Sequence, residues 1–471
     1  MPIPVISVAQ MRQWEQATWK TGRSAAEVIR RAGGAVAGIA ARLTHPGDHV
    51  LILAGKGHNG DDACLAGEHL TDRHSEILRI VEPESGRREV LSRLESAPAL
   101  IIDGLFGIGL NRPLDPAWIQ LIGAINGGQL PVLAVDVPSG LDADTGESQG
   151  AAVQATVTVT LAAPKSGLVT AKAWPFVGRL EVAPDIGLVP CPFESGLNWT
   201  LPADFAGYPP RRTVAGHKGT FGHVVIIAGS LGYHGAAVLA ARAAMRAQPG
   251  LITVVTPKEV YPTVASQLQT AMVHPWKRGL VLPESTTAVV CGPGLASPNL
   301  SATLKAETRH LWRASPLPVI ADASALDWLP PGPIESKGLR VITPHPGEAA
   351  RMLRATADQV QADRPNALRK LSRRWGGCWV VLKGHQTLVG RAAGNIFINS
   401  SGNPYLAQGG SGDVLAGFIG GLVAQPMLQA NTLLALRFGI WQHGAAADHL
   451  LATRPNWSVN DLVTELGACR P

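Results

Sequence analysis

Residues 49–70 read HVLILAGKGHNGDDACLAGEHL. A short run of valine, leucine and isoleucine ends in three closely spaced glycines, and a segment with helical spacing follows. Short apolar runs of this kind suit strands buried on both faces of a parallel sheet. A glycine turn that follows a strand and opens a helix is the place where such a sheet meets anionic ligands. The backbone can come close there, and the first N–H groups of the helix lack intrahelical partners.

The same alternation extends outward. ALIIDGLFG (99–107), LPVLAVDVPSG (130–140) and ATVTVTLAAPK (155–165) read as further buried strands, with helix-length segments between most of them. Residues 7–43, from SVAQMRQWEQ onward, have helical spacing and should pack outside that sheet. Around 187–216 the texture changes to a stretch rich in Pro and Gly without periodicity, GLVPCPFESGLNWTLPADFAGYPPRRTVAG. The alternation then restarts with HVVIIAGS (223–230), GLITVVTP (250–257), AVVCGPG (288–294), LPVIADAS (317–324), LRVITPHPGE (339–348) and CWVVLKG (378–384). The expectation is two α/β domains with different motifs, residues 1–205 and 206–471. The first is expected as a Rossmann-like three-layer sandwich and the second as another three-layer sandwich.

Composition agrees. The chain has 471 residues, 46% hydrophobic and 16% charged, with 52 glycines and a formal charge of +6. That length exceeds one ordinary core. The Lys and Arg residues are scattered, without a basic run or interleaved aromatics, so small anions are expected as partners and nucleic acid is not. Five cysteines stand far apart with no CxxC pair, which points to reduced thiols and away from zinc. The N-terminal residues lack a signal-peptide layout, and no stretch is apolar enough to span a bilayer. A soluble, cytoplasmic protein is expected.

Three strand-end loops in the first half carry chemistry. GKGHNGDDACLAGEHL (55–70) is the first, GLFGIGLNRPL (104–114) the second and VDVPSGLDADTGE (135–147) the third. Ligands of open α/β sheets sit at the carboxyl ends of strands, where these loops converge. Arg112 suits a pyrophosphate by bidentate donation. Asn59, Asp103 and Ser139 could offer oxygens to a hard cation. All three loops also read as ordinary turns in which Asp side chains satisfy loop amides.

These loops, in this order, resemble the NAD(P)H-hydrate epimerase (YjeF N-terminal) family over roughly residues 1–200. The resemblance implies that His58, Asn59, Gly60, Asp61 and Asp62, with Gly107, Ile108, Gly109, Leu110, Asn111, Arg112 and Pro113, hold the hydrated dinucleotide. It implies Asp136 as the acid/base group facing the nicotinamide, and Asn59, Asp103 and Ser139 as ligands of potassium. Lys165 matches a further recurring position. Two residues depart from the family pattern. Asp61 stands where glycine is usual, which would put bulk and negative charge beside the pyrophosphate, and Ile108 replaces a common threonine.

In the second half, small residues at 235–237 let a flat ligand approach the backbone, or let a helix pack closely on the sheet. TPHPGE (343–348) places His345 and Glu348 at a helix start, which is equally a plain N-terminal helix signal. VVLKGHQTLV (380–389) puts Lys383 at a strand end, able to meet phosphate. GGSGDVLAG (409–417) places Asp413 where a helix begins. That carboxylate either complements the helix dipole or acts as a general base beside a bound phosphate.

Together these elements resemble the ribokinase-like superfamily, and more closely the ADP/ATP-dependent NAD(P)H-hydrate dehydratases, over about 215–471. The resemblance implies that Ala237, Gly294 and His345 line the hydrate site. It places the adenine nucleotide against Lys383, Gly384, His385, Gln386 and Thr387, with Ser411 and Gly412, and makes Asp413 the catalytic base. Ser411 stands where threonine is commoner and keeps the hydroxyl. The activity implied is twofold: interconversion of the R and S hydrates of NADH or NADPH, and dehydration of the S form with ADP, giving AMP and phosphate. Magnesium would accompany the ADP or ATP, and a homo-oligomer is expected. The rival reading is an alcohol kinase of the same superfamily carrying a non-catalytic N-terminal binding module.

Overall fold

The computed structural model describes residues 2–471. The chain forms two compact units, Ile3–Ser195 and Gly196–Pro471. This division lies ten residues before the expected one. Leu197–Trp199 pairs in parallel with Ile396–Ile398, and Phe205 packs edge-on against Phe438, so residues 196–205 belong to the second unit.

In the first unit six strands form one parallel sheet in the order His74–Arg79, His49–Ala54, Leu100–Gly104, Val132–Val135, Val157–Leu161 and Arg179–Ala183. The alternation of side chains splits each central strand between two cores. Val50, Ile52, Leu100 and Ile102 face one, with Val28, Ala32 and Val36 of the helix Ala25–Leu43. Leu51, Leu53 and Ile101 face the other, with Leu121 and Ile122 of the helix Pro116–Gly127. The N-terminal helices therefore lie where their spacing predicts. Ser7 closes a capping box on Val8–Trp19, and the Ser24 side chain caps Ala25–Leu43. From His49–Ala54 the chain first adds a strand on one side, then crosses to Leu100–Gly104 on the other. A reversal of this kind opens a crevice at the carboxyl ends of the two strands.

The second unit carries a longer sheet in the order Leu197–Trp199, Ile396–Ile398, Leu388–Gly390, Trp379–Leu382, Arg340–Ile342, Val319–Ala321, Ala288–Cys291, His223–Ile227, Leu251–Thr256 and Met272–Pro275. Pairing is parallel except around Leu388–Gly390, which runs against both of its neighbours. The reversal recurs here, because His223–Ile227 lies between Leu251–Thr256 and Ala288–Cys291. The helices His234–Arg246 and Ser411–Val423 contribute to one core with these strands. No helix among the described residues is long and apolar enough to cross a membrane.

The position of Ser411–Val423 depends on a close approach. A β-carbon on Gly417 would collide with the backbone carbonyl of Ala240 in the facing helix. Neither backbone can withdraw without opening the core. Gly417→Ala is therefore expected to destabilise the second unit by about 1–3 kcal/mol in denaturant unfolding. Gly235→Ala, whose β-carbon meets nothing within 4 Å, should be neutral or stabilising.

Candidate active sites

In the first unit a cavity of about 840 Å³ opens at the crevice. Its walls come from the loop after His49–Ala54, the loop after Leu100–Gly104, Asp136 and the helix Val8–Trp19. The first two loops interlock. A β-carbon on Gly55 would strike the Leu105 carbonyl, and one on Gly60 would strike the carbonyl of Gly55. Glycine at both positions lets the helix His58–His69 begin against the strand ends, with its N-terminus at the cavity.

Asp136 directly follows Val132–Val135 and has φ of +63°. This left-handed conformation is sparsely populated by residues other than glycine. Its N–H still donates to Val159 O at 2.8 Å. The Asp136 Oδ1 atom accepts from Leu161 N at 2.9 Å, from Thr160 Oγ1 at 3.1 Å and from the ammonium of Lys165. Lys165 is completely buried and also donates to Leu161 O at 2.9 Å, so its charge and its donors are met. A buried lysine with these partners fixes the Asp136 carboxylate in one orientation.

Two more carboxyl groups line the same cavity, Asp62 and Glu15. Burial pushes Asp62 up to about 8, and the Asp136, Asp61 and Glu15 charges push the same way. Burial and then Asp136 raise Glu15. Nothing in the sequence singles out Glu15, since a glutamate in an amphipathic helix normally reads as a solvent-facing residue.

A second cluster sits behind the loops. Asp103, wholly buried, accepts from Ser139 Oγ at 2.6 Å and Ser139 N at 2.8 Å. Phe106 N donates to Ser139 Oγ at 2.8 Å, and Asn59 Nδ2 donates to Phe106 O at 2.8 Å. Asn59 Oδ1 is buried with no hydrogen-bond partner. Burial raises Asp103 to about 6, against the pull of the Ser139 hydrogen bonds. Asn59, Asp103 and Ser139, expected together, belong to one network of oxygens with one acceptor unmet, which fits a hard cation.

The structure sorts the other expected residues. His58, Asn59, Asp62, Asp136 and the run Gly107 through Arg112 line the cavity. Gly60 is a buried spacer, and Pro113 is exposed and outside the lining. Asp61 also lies outside it. Its carboxylate pairs with Arg79 at 2.9 Å, at the end of the neighbouring strand His74–Arg79. The bulk and charge expected beside a pyrophosphate are thus directed elsewhere and paired.

In the second unit the chemistry gathers around Lys383. Its ammonium donates to Asp322 Oδ1 at 2.7 Å and lies 3.7 Å from Glu348 Oε2. Burial works to remove that charge, but Asp322 and Glu348 outweigh it, and the lysine is held above its usual range. Thr343 Oγ1 donates to the same Asp322 oxygen at 2.6 Å. Glu348 accepts the His345 N–H at 2.7 Å, closing a capping box on the helix Pro346–Leu353. Asp322 is a residue that motif reading misses. Its signal is positional, for it follows Val319–Ala321 as Asp136 follows its own strand.

Asp413 lies in the first turn of Ser411–Val423, after Gly410 in a left-handed cap. Burial pushes it up to about 7. The Asp322 charge raises it further, Lys383 opposes, and Glu348 adds to the rise. A β-carbon on Gly412 would lie 3.3 Å from Lys383 Nζ, so the helix start and the lysine adjoin. Beneath them His443, driven down to about 4 by burial, donates from Nε2 to Ser411 O at 3.0 Å.

The segment 383–387 is organised from below by Arg364, which is buried. Its guanidinium donates to Leu382 O at 3.0 Å, Lys383 O at 3.2 Å, Gln386 O at 3.3 Å and the His385 carbonyl. Gln386 Nε2 is buried without a partner, and Thr387 Oγ1 turns back to Gly384 O at 2.9 Å. Ser230 Oγ donates to Gly294 O at 2.6 Å and joins two further glycine loops. Ala237, expected at the ligand surface, is fully buried instead, behind the Gly229 turn.

Comparisons with known proteins show the family. The family model described as NAD(P)H-hydrate dehydratase matches residues 224–466, and that of the YjeF-related protein N-terminus matches 25–96 and 82–167. A bifunctional NAD(P)H-hydrate repair enzyme of Coxiella burnetii is 34% identical, over 93% of this chain and 93% of its own. One from Gloeobacter violaceus is 34% identical, over 98% and 96%. The ADP/ATP-dependent NAD(P)H-hydrate dehydratase of Bacillus subtilis, co-crystallised with ATP and Mg2+, superposes with a TM-score of 0.52 at 29% identity. That match covers 57% of this chain and 95% of the other.

The raised Asp413 has a consequence for stability. A carboxyl whose folded pKa exceeds its unfolded value contributes most below about pH 4, and that contribution is lost as pH rises through about 7. Asp413→Asn is expected to match the native chain only below about pH 4. At pH 8 it should be more stable by about 1–4 kcal/mol, read from the unfolding transition that nucleotide raises in the native chain.

Proposed function

Because the chain belongs to the bifunctional NAD(P)H-hydrate repair enzymes, an epimerase and a dehydratase in one polypeptide, we propose that Asp413 is the base of the dehydratase and Asp136 an acid/base group of the epimerase. The observation that carries the dehydratase assignment is the position of Asp413, half-buried in the first turn of a helix and raised to about 7, in a helix start that adjoins a lysine tethered by two carboxylates. A carboxylate near neutrality suits a proton transfer at physiological pH.

The hydrate carries a hydroxyl at C6 of its nicotinamide ring, and hydroxide leaves poorly. Asp413 takes the hydroxyl proton as the oxygen attacks the terminal phosphoryl group of the nucleotide. The new P–O bond forms as the bond to the departing AMP breaks. Lys383 and the backbone amides of 410–412 meet the charge on the phosphoryl oxygens. The ring nitrogen then pushes out phosphate with the C6–O bond, and loss of a C5 proton restores the dihydronicotinamide. Lys383 through Thr387, with Ser411 and Gly412, hold the nucleotide, and Arg364 sets the backbone of that segment. Gly294 and His345 lie toward the hydrate, with Ala237 backing the wall. ADP is the proposed donor, with magnesium carried on its phosphates. This reading is preferred to the alcohol kinase because the first unit offers a built cavity with its own ordered carboxylates.

In the first unit the cavity takes the hydrated dinucleotide. Arg112 and the start of the helix His58–His69 receive its phosphates. Potassium, held by Asn59, Asp103 and Ser139, would supply a fixed positive charge beside the loops. Asp61 does not oppose this binding, since Arg79 neutralises it.

Asp413→Asn should lower kcat for dehydration of the S hydrate by about 10³-fold while changing KM for nucleotide less than about fivefold. Steady-state assays with ADP and with ATP check this. A loss confined to KM would contradict the assignment, and equal kcat/KM for both nucleotides would contradict the ADP preference.

A further inference from the structure

We infer that the epimerase works with two carboxyl groups sharing one proton, in which Asp62 protonates the departing C6 hydroxyl while Asp136 takes the proton of the water that arrives. The inference rests on the assignment of Asp136 above. The two groups reach one cavity from different elements, Asp62 from the helix His58–His69 and Asp136 from the end of Val132–Val135. Their surroundings are opposite. Asp136 accepts from Leu161 N, Thr160 Oγ1 and the buried Lys165 ammonium, three donors directed at one oxygen. Asp62 is buried, and no side chain or backbone group among the described residues hydrogen-bonds or pairs with its carboxyl. Its polar oxygens therefore look for a partner in the cavity. A buried carboxyl among acidic neighbours keeps its proton, which leaves it able to donate.

The charges felt by Asp62 come from every side. Asp136, Asp61 and Glu15 hold its proton on, and Lys165 opposes them. Asp61 is itself paired with Arg79, and His58 and Arg12 lie toward Glu15. Burial is the larger cause and the three carboxylates add to it, so that Asp62 rises to about 8 and is mostly protonated at pH 7.

The chemistry balances. C6 bears both the hydroxyl and the ring nitrogen. Asp62 gives its proton to the hydroxyl, the C6–O bond breaks, and water leaves as the nitrogen pair forms a C=N bond. Water then adds to the other face of C6, the nitrogen recovers its pair, and the Asp136 carboxylate takes the released proton. The proton returns to Asp62 through the water now in the cavity. For the opposite epimer the two carboxyl groups exchange roles, as an epimerase that runs both ways requires.

The test uses the full chain, R hydrate as substrate and the chain's own dehydratase as reporter, with spontaneous epimerisation subtracted. For the native chain, the epimerase-limited rate should fall as pH rises above about 8, because Asp62 then loses the proton it donates. Asp62→Asn should lower that rate by about 10²-fold or more, with dehydration of the S hydrate unchanged, and should abolish the basic limb of the profile. Asp62→Glu should retain a rate within about tenfold of native, with the limb displaced. A native rate flat to about pH 9.5, an Asn variant within about threefold of native, or equal losses in both variants would overturn the inference. Asp136→Asn is run beside them. Full activity there would defeat the assignment of Asp136, whereas full activity in Asp62→Asn alone would defeat only the shared proton.

Discussion

A lysine enclosed or half-buried at the end of a parallel sheet must be paired, and the geometry of both units follows from how it is paired. In the first, Lys165 is enclosed completely and bound to Asp136 at the close of Val132–Val135. In the second, Lys383 is bound to Asp322 at the close of Val319–Ala321 and approached by Glu348. An uncompensated ammonium at either place would be costly to bury. Pairing therefore holds both groups still. The sheet supplies the rigidity, since each aspartate follows a strand buried on both faces.

What the two pairs do with that rigidity differs. Lys165 spends its donors on protein groups and orients one carboxylate toward a cavity. Lys383 lies beside Gly412 and the start of Ser411–Val423, where a phosphoryl group can share its charge with the helix amides. In each site a second carboxyl lies near the pair and is raised by burial and by its acidic neighbours, Asp62 in one and Asp413 in the other. A carboxyl raised in this way can exchange a proton with a ligand near neutral pH.

The centre of each sheet was legible in the sequence because doubly buried strands leave unbroken apolar runs, as in HVLILA and HVVII. The edges were not. His74–Arg79 is half exposed and reads HSEILR, which carries no such run. Leu388–Gly390 and Ile396–Ile398 are three residues each, too short for a period to show. At the sites, Lys383 and Asp413 stand in glycine-rich strings that point to phosphate. Asp322 has no string around it, and only its strand-end position marks it. Asp61 shows the converse, since its direction is set by Arg79, which is distant in sequence and close in space. The placement of residues 196–205 likewise depends on pairing with Ile396–Ile398, nearly two hundred residues on.

The account stands on one chemical claim, that the hydroxyl of the hydrate becomes a phosphate ester before it leaves. The most direct measurement follows that oxygen. S hydrate carrying ¹⁸O in its C6 hydroxyl is turned over by the full-length chain with ADP, and the released phosphate is analysed by mass. The account predicts one ¹⁸O atom in each phosphate. Label appearing in water, with unlabelled phosphate, would mean that the nucleotide never receives the hydroxyl, and would contradict the role given to Asp413.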